Sequence, residues 1–194
     1  MGILSILKPG GLRSPTGIRH NGKQLSEILA SNERFVRGDE TGERADLSGA
    51  NLSRVNLRGA NLALVNFQGA NLEGANLRDA KLCSADLSKA RLRRADLRRA
   101  DLTETNLSGA DLSEAQVGGA ELFRADLRLA ILRRADFGAA NFRLAEVSGA
   151  DFREASLKTA ILRETNLEGV DLSGVDLSTA LLPRGYKAST GKAE

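Results

Sequence analysis

A period of five residues constrains this chain more than any other feature. From Ala45 the sequence reads Ala-Asp-Leu-Ser-Gly, Ala-Asn-Leu-Ser-Arg, Val-Asn-Leu-Arg-Gly, and it continues in steps of five to Arg184, giving 28 consecutive units without a break in register. The central position is Leu in 22 units, with Phe67, Phe137, Phe142, Phe152, Val117 and Val147 in the rest. The first position, two residues earlier, is Ala in 22 units, the exceptions being Val55, Val65, Thr105, Thr165, Val170 and Val175. Such a period is neither the 3.6 of an α-helix nor the 2 of a flat strand. A continuous helix would scatter the leucines around its circumference and leave no stripe to bury. Two apolar residues two apart do share one side of a short extended stretch. The Asp, Asn, Ser and Gly that fill much of the remainder are turn formers. The chain is therefore expected to turn once per unit and to bring each Ala/Leu pair back to the inside of a coil. One unit cannot bury its apolar side alone, but stacked coils can. The composition agrees, since 41% of residues are hydrophobic and only 4% aromatic, so the core is built mainly from Leu and Ala.

The second position of the unit, which points outward, gives a test of how many units close one coil. It is acidic in 12 of the 28 units. Equivalent residues of stacked coils lie about 4.8 Å apart, where like charges repel. Acidic residues recur five times at a separation of three units, three times at four and eight times at five. Four units per coil gives the fewest stacked acids.

The motif Ala-(Asp/Asn)-Leu-x-x, repeated through residues 45–184, resembles the pentapeptide-repeat family. That resemblance implies an all-β fold, a right-handed quadrilateral β-helix with four units per coil, hence about seven coils and a rod roughly 34 Å long at about 4.8 Å per coil. The stretch Leu25-Ser26-Glu27-Ile28-Leu29-Ala30 through Phe35-Val36 resembles the short capping helix that often precedes such arrays. Leu25, Ile28 and Leu29 have the i, i+3, i+4 spacing of an apolar helix face. Residues 23–44 are thus expected as capping helix and linker, 45–184 as the β-helix and 185–194 as a C-terminal tail. Residues 1–22, with Pro9, Pro15 and several glycines, are expected as a flexible tail. Its Ile3, Leu4, Ile6 and Leu7 are an alternative docking peptide. The few residues after Arg184 make a thin cover for the last coil. Homodimerisation through that coil, as in some members of the family, would cover it.

Charge and the rarer residues exclude several classes of function. The net charge is +3, but residues 45–184 hold 19 Lys and Arg against 19 Asp and Glu, so the excess lies at the two ends. Nucleic-acid binders usually carry a basic footprint, and here one could only be local. Cys83 is the sole cysteine and His20 the sole histidine. No intramolecular disulfide can form, and no zinc site is expected because tetrahedral zinc needs several converging ligands. No cofactor is expected. The abundant Asp and Asn recur at a fixed repeat position, which accounts for them without acid–base catalysis, and no catalytic residues are assigned. No secretory leader or membrane helix is legible, so a cytoplasmic location is expected.

Two surfaces stand out as binding candidates. With four units per coil, every fourth unit lies on one face. The face that begins with residues 60–64 carries the apolar side chains Leu64, Phe123, Leu144, Ile161 and Leu181, a candidate interaction face. The opposite face carries Arg91, Arg93, Arg94, Arg133 and Arg134, and Arg98 and Arg99 continue the run onto a neighbouring face. This is a candidate basic patch, because Arg recognises phosphate and carboxylate by paired hydrogen bonds. The leading expectation is a non-catalytic interaction or scaffold module with a protein partner. A second comes from the resemblance, since some pentapeptide-repeat proteins mimic duplex DNA and modulate DNA gyrase. That role requires a strongly acidic surface, and the charge-balanced array disfavours it. A third is salt-sensitive association with an anionic membrane or nucleic acid through the arginines.

Overall fold

The computed structural model describes residues 11–186. Within the array, parallel bridges join residues twenty apart, from Asp46 with Asn66 through Asp111 with Ile131 to Ile161 with Leu181. Twenty residues are four units, so each coil has four sides. The sides are numbered here in chain order. Face 1 begins at residues 45–49, face 2 at 50–54, face 3 at 55–59 and face 4 at 60–64.

A complete account of the backbone donors explains why the unit has this composition. Taking the first two coils on face 1, the central Leu47 N–H donates to Asn66 O and the fifth-position Gly49 N–H to Gln68 O, both in the following coil. The second-position Asn66 N–H donates back to Ala45 O, and the first-position Ala50 N–H closes the turn onto Leu47 O. Only the fourth N–H remains, and the second-position side chain takes it. In the same unit Ser48 N–H donates to Asp46 Oδ1 at 3.0 Å. All 19 Asp and Asn at the second position accept this bond, from Asp46 to Asp176. A short side-chain acceptor at that place completes the turn, and the longer Glu121 and Glu146 do not make it. The fifth residue turns the corner in the left-handed region, with φ of +54 to +64° in 17 non-glycine positions such as Arg94 and Glu114. Left-handed backbone is unfavourable for these residues, and at most of them, as at Arg94 and Glu114, an inter-coil bond from the fifth N–H holds it there.

Inside the coils the central Leu and Phe and the first-position Ala form one continuous buried cluster. Phe137, Phe142 and Phe152 meet in it at centroid distances of 5.1 to 6.0 Å and tilted angles, a favourable arrangement for aromatic pairs. Thr105 and Thr165 occupy first positions and are buried. Their hydroxyls are satisfied by donating to Leu82 O at 2.8 Å and Phe142 O at 2.7 Å.

The first coil is covered by an N-terminal segment. Helix α1, Leu25–Val36, follows a hairpin of β1, Arg19–His20, and β2, Lys23–Gln24. Its start is fixed by reciprocal bonds between Gln24 and Glu27, the capping-box arrangement. Leu25 is fully buried, and Ile28 and Leu29 pack on the core. Asn32 is buried too and holds the first coil at two points. Its Nδ2 donates to Ala63 O at 3.0 Å, and its Oδ1 accepts from Ala45 N–H at 2.9 Å. Gly42 lets the linker return over the helix end, since a Cβ there would sit 2.0 Å from Phe35 N.

Residues 11–22 correct the expectation of a flexible tail. Arg13 bridges Val55 in parallel register, giving its N–H to Arg54 O and receiving that of Asn56. Ile18 is buried. The physical reason is that the first coil has an open edge, and residues 13–18 satisfy part of it. The proposed docking residues Ile3, Leu4, Ile6 and Leu7 lie outside the described residues, as does most of the expected C-terminal tail.

Candidate interaction surfaces

Every arginine of the candidate basic patch has a carboxylate beside it. Arg94 Nε lies 2.8 Å from Glu114 and Arg93 Nη2 3.2 Å from the same group. Arg134 pairs with Glu154 at 2.8 Å, Arg99 with Asp79 at 2.6 Å and Arg98 with Asp96 at 2.6 Å. Arg133 pairs with Asp151, and Arg91 approaches Glu73 at 3.9 Å. Several of these are exposed partners stacked one coil apart at the corners. The hydrogen bond from Arg94 holds the Glu114 carboxyl below its ordinary range, and Arg134 does the same to Glu154. Such pairs contribute little to stability each, but they neutralise one another. The arginines form charge-balanced ladders rather than a free cationic field.

The apolar candidates on face 4 are unevenly exposed. Leu64 and Leu181 are exposed at 37% and 43%, while Phe123, Leu144 and Ile161 are half-buried. Phe123 lies between two cations, with Arg124 5.1 Å and Arg143 5.9 Å from its ring centroid. Ile161 is bridged directly to Leu181, so these two extend face 4 to the last coil. Sequence reading missed the most exposed large apolar side chain among the described residues, Leu129 at 70%. It stands at the corner of faces 1 and 2 with Ile131 just beyond it, and Gly149 beneath leaves room for its side chain, since a Cβ there would meet Leu129 Cδ2 at 2.8 Å. The fifth position always points outward, and that was the available signal.

The last coil, residues 165–184, is the least enclosed part of the array. Val170, Leu172, Val175, Leu177, Ala180 and Leu182 are only partly buried. It joins the preceding coil by backbone bonds on faces 2 and 4 alone, through Phe152, Glu154, Leu162 and Leu181. Tyr186 packs against its inner residues.

Elsewhere the chemistry is sparse. The Cys83 thiol donates to Asp101 Oδ2 at 2.9 Å. Burial, then this bond, push its pKa up to about 11, so it stays protonated at neutral pH and lacks the thiolate needed for nucleophilic work. Among the described residues no group of three or more His, Cys, Asp and Glu is placed to hold a metal. An open cleft of about 560 Å³ lies between the helix and the first coil, lined by residues including His20, Lys23, Glu27, Arg34, Glu43 and Asp46. Its charges are mixed in sign, and Lys23 already pairs with Glu43.

The family model for pentapeptide repeats matches residues 43–79, 60–99, 75–116, 120–158 and 140–178. The chain belongs to the pentapeptide-repeat family. Its fold is the right-handed β-helix solenoid of that family. Among solved structures it is similar to HetL, a pentapeptide-repeat protein involved in heterocyst differentiation regulation from the cyanobacterium Nostoc sp. strain PCC 7120, at 34% identity over 75% of each chain, with a TM-score of 0.38. It is 36% identical to a pentapeptide-repeat protein of the Arabidopsis thaliana thylakoid lumen, over 50% of this chain and 67% of that one, with a TM-score of 0.30. QnrB1, a plasmid-mediated fluoroquinolone resistance protein, matches at 18% identity over 73% of this chain and 84% of its own, with a TM-score of 0.37. No curated protein matches. In this pentapeptide-repeat chain the Asp and Asn rows serve the turns, and no described helix is long and apolar enough to cross a membrane.

Proposed function

We propose that this pentapeptide-repeat protein is a non-catalytic interaction module that offers a rigid face to a protein partner. Face 4 from Phe123 to Leu181 is the docking surface, and the last coil is a second contact, whose simplest occupant is another copy of the chain. The observation that supports this reading is the run of Ile161 and Leu181 along face 4 onto a coil whose own leucines are half-covered. Apolar side chains left at the surface of a frame this regular mark a contact. A frame held by hydrogen bonds between coils loses little conformational freedom on binding, which favours affinity per unit of area. Phe123 between two guanidiniums suits a partner with an apolar patch beside carboxylates. The paired arginines speak against a free anion-binding surface, and the equal numbers of basic and acidic residues in the array speak against mimicry of DNA.

The test compares wild type with a Phe123→Glu/Leu144→Glu variant, both shown to be folded by circular dichroism. Capture from the native lysate should recover a partner with wild type and lose it with the variant. Equal recovery by both removes face 4 from the reading.

A further inference from the structure

The coil-to-coil hydrogen bonds of this array have a direction, and it determines what the uncovered end can accept. Between the first and second coils there are twelve backbone bonds. Eight run forward, from N–H groups of the earlier coil such as Leu47 and Gly49 to carbonyls of the later one. Four run back, as from Asn66 N–H to Ala45 O. The two ends of the stack are therefore unlike. The first coil turns outward eight carbonyls and four N–H groups, and the last coil turns outward eight N–H groups and four carbonyls.

The N-terminal segment has the chemistry that this polarity demands, because it contributes mainly donors. Arg13 Nη1 reaches Asn51 O at 3.4 Å and Ser53 O at 3.3 Å, and Asn32 Nδ2 reaches Ala63 O at 3.0 Å. One of the four outward N–H groups, that of Asn56, donates to Arg13 O at 2.8 Å. At the other end the outward N–H groups of Leu167, Gly169, Leu172, Gly174, Leu177, Thr179, Leu182 and Arg184 have no backbone acceptor among the described residues.

We infer that the open edge of the last coil is a docking site for the first coil of a second copy, stacked head to tail, and that residues 13–44 hold this association latent by occupying the first coil. The inference rests on reading the last coil as a contact surface. Two last coils facing each other would set eight N–H groups against eight, with only four carbonyls on each side to receive them. Head to tail, eight donors meet eight acceptors and four meet four, and the Ala/Leu core runs on through the junction. A heterologous contact of this kind does not close, so it grows into filaments. The N-terminal segment then keeps the rods finite, as terminal repeats do in solenoids.

The test is sedimentation velocity over a hundredfold range of protein concentration. Leu25→Asp/Ile28→Asp displaces helix α1 in the full chain. The same variant carrying Leu177→Asp/Leu182→Asp also blocks the last coil. Circular dichroism checks that the array is folded. Wild type should show no species beyond a dimer, the helix variant should show a concentration-dependent series of three or more rods, and the fourfold variant should lose it. A folded helix variant that stays monomeric, stops at a dimer, or keeps growing with the last coil blocked overturns the inference. A dimer that disappears on blocking the last coil would leave the proposed contact standing and exclude only the head-to-tail arrangement. If the aspartates unfold the array, Arg13→Ala/Asn32→Ala frees the same carbonyls and loosens the segment that covers the first coil. It should then form trimers and larger species at the highest concentrations, and a size distribution equal to that of wild type overturns the inference.

Discussion

The two ends of the rod are made from the same repeat and differ in what lies over them. At the first coil Leu47, Leu52 and Leu62 have no exposed surface, and backbone bonds to the next coil are made on all four faces. At the last coil Leu172 and Leu182, which stand where Leu52 and Leu62 stand in the first, are partly open, and bonds to the preceding coil remain on two faces. The units themselves do not explain this, because 170–174, Val-Asp-Leu-Ser-Gly, is as regular as 50–54, Ala-Asn-Leu-Ser-Arg. A repeat of this kind is stabilised by its neighbours on both sides. A unit with a neighbour on one side is therefore weaker whatever its sequence.

The largest expected effect is a pair of identical substitutions. Leu52→Ala removes a fully buried side chain of the first coil and should cost about 3 kcal/mol. Leu177→Ala, at a half-open place, should cost under about 1 kcal/mol. Urea denaturation followed by circular dichroism measures both, and equal losses would mean that the last coil is covered in solution.

Asn32→Ala sharpens the other side of the comparison. It strips the part-buried Ala63 carbonyl and the buried Ala45 N–H of their partner, at an expected loss of about 1–3 kcal/mol. Hydrogen exchange should show the change in the first coil and leave the last coil as it was.

Acid should separate the ends by a smaller margin. The Asp46 carboxyl of the first coil is held low by hydrogen bonds from the backbone and side chain of Ser48. Asp171 and Asp176 of the last coil are held low in the same way by Ser173 and Ser178. A carboxyl with a lowered folded pKa is protonated first in the unfolded chain as pH falls. Its stabilisation is present above the ordinary value of 3.8 and is lost as pH drops through the folded value. The loosely attached coil should yield first. Tyr186 is the only tyrosine, in a chain without tryptophan, so its fluorescence reports that end alone. Its transition should begin at a higher pH than the loss of the far-ultraviolet dichroism, and coincident transitions would show one cooperative unit.

The core was legible because each Leu or Phe has to point inward, and a period of five leaves few ways to do that. The meaning of the Asp and Asn at the second position was half legible. Their fixed place argued against catalysis, but the bond to the fourth N–H needs the turn geometry. The ion pairs were hidden by distance along the chain. Arg94 and Glu114, like Arg134 and Glu154, are twenty residues apart and meet only once the coil has closed. Arg13 and Ile18 gave no signal, because a single strap across an open edge has no period. Leu129 was hard to read from the sequence because a corner residue belongs equally to two faces, and the face next to it reads as a run of arginines.

One unit is a quarter of a turn, which gives this molecule an unusual heredity. A duplication or loss of five codons leaves every leucine facing inward, because the core asks the same of each unit. It carries all side chains downstream round to the adjacent face. Placed between Arg94 and Glu114, such a change would part them without altering either residue, and placed between Phe123 and Ile161 it would move Ile161 and Leu181 away from Phe123. A change of twenty codons lengthens the rod and returns every residue to its own side. For the lineage of such a gene, length modulo four units is part of the message, and surfaces can be dealt anew by slippage alone.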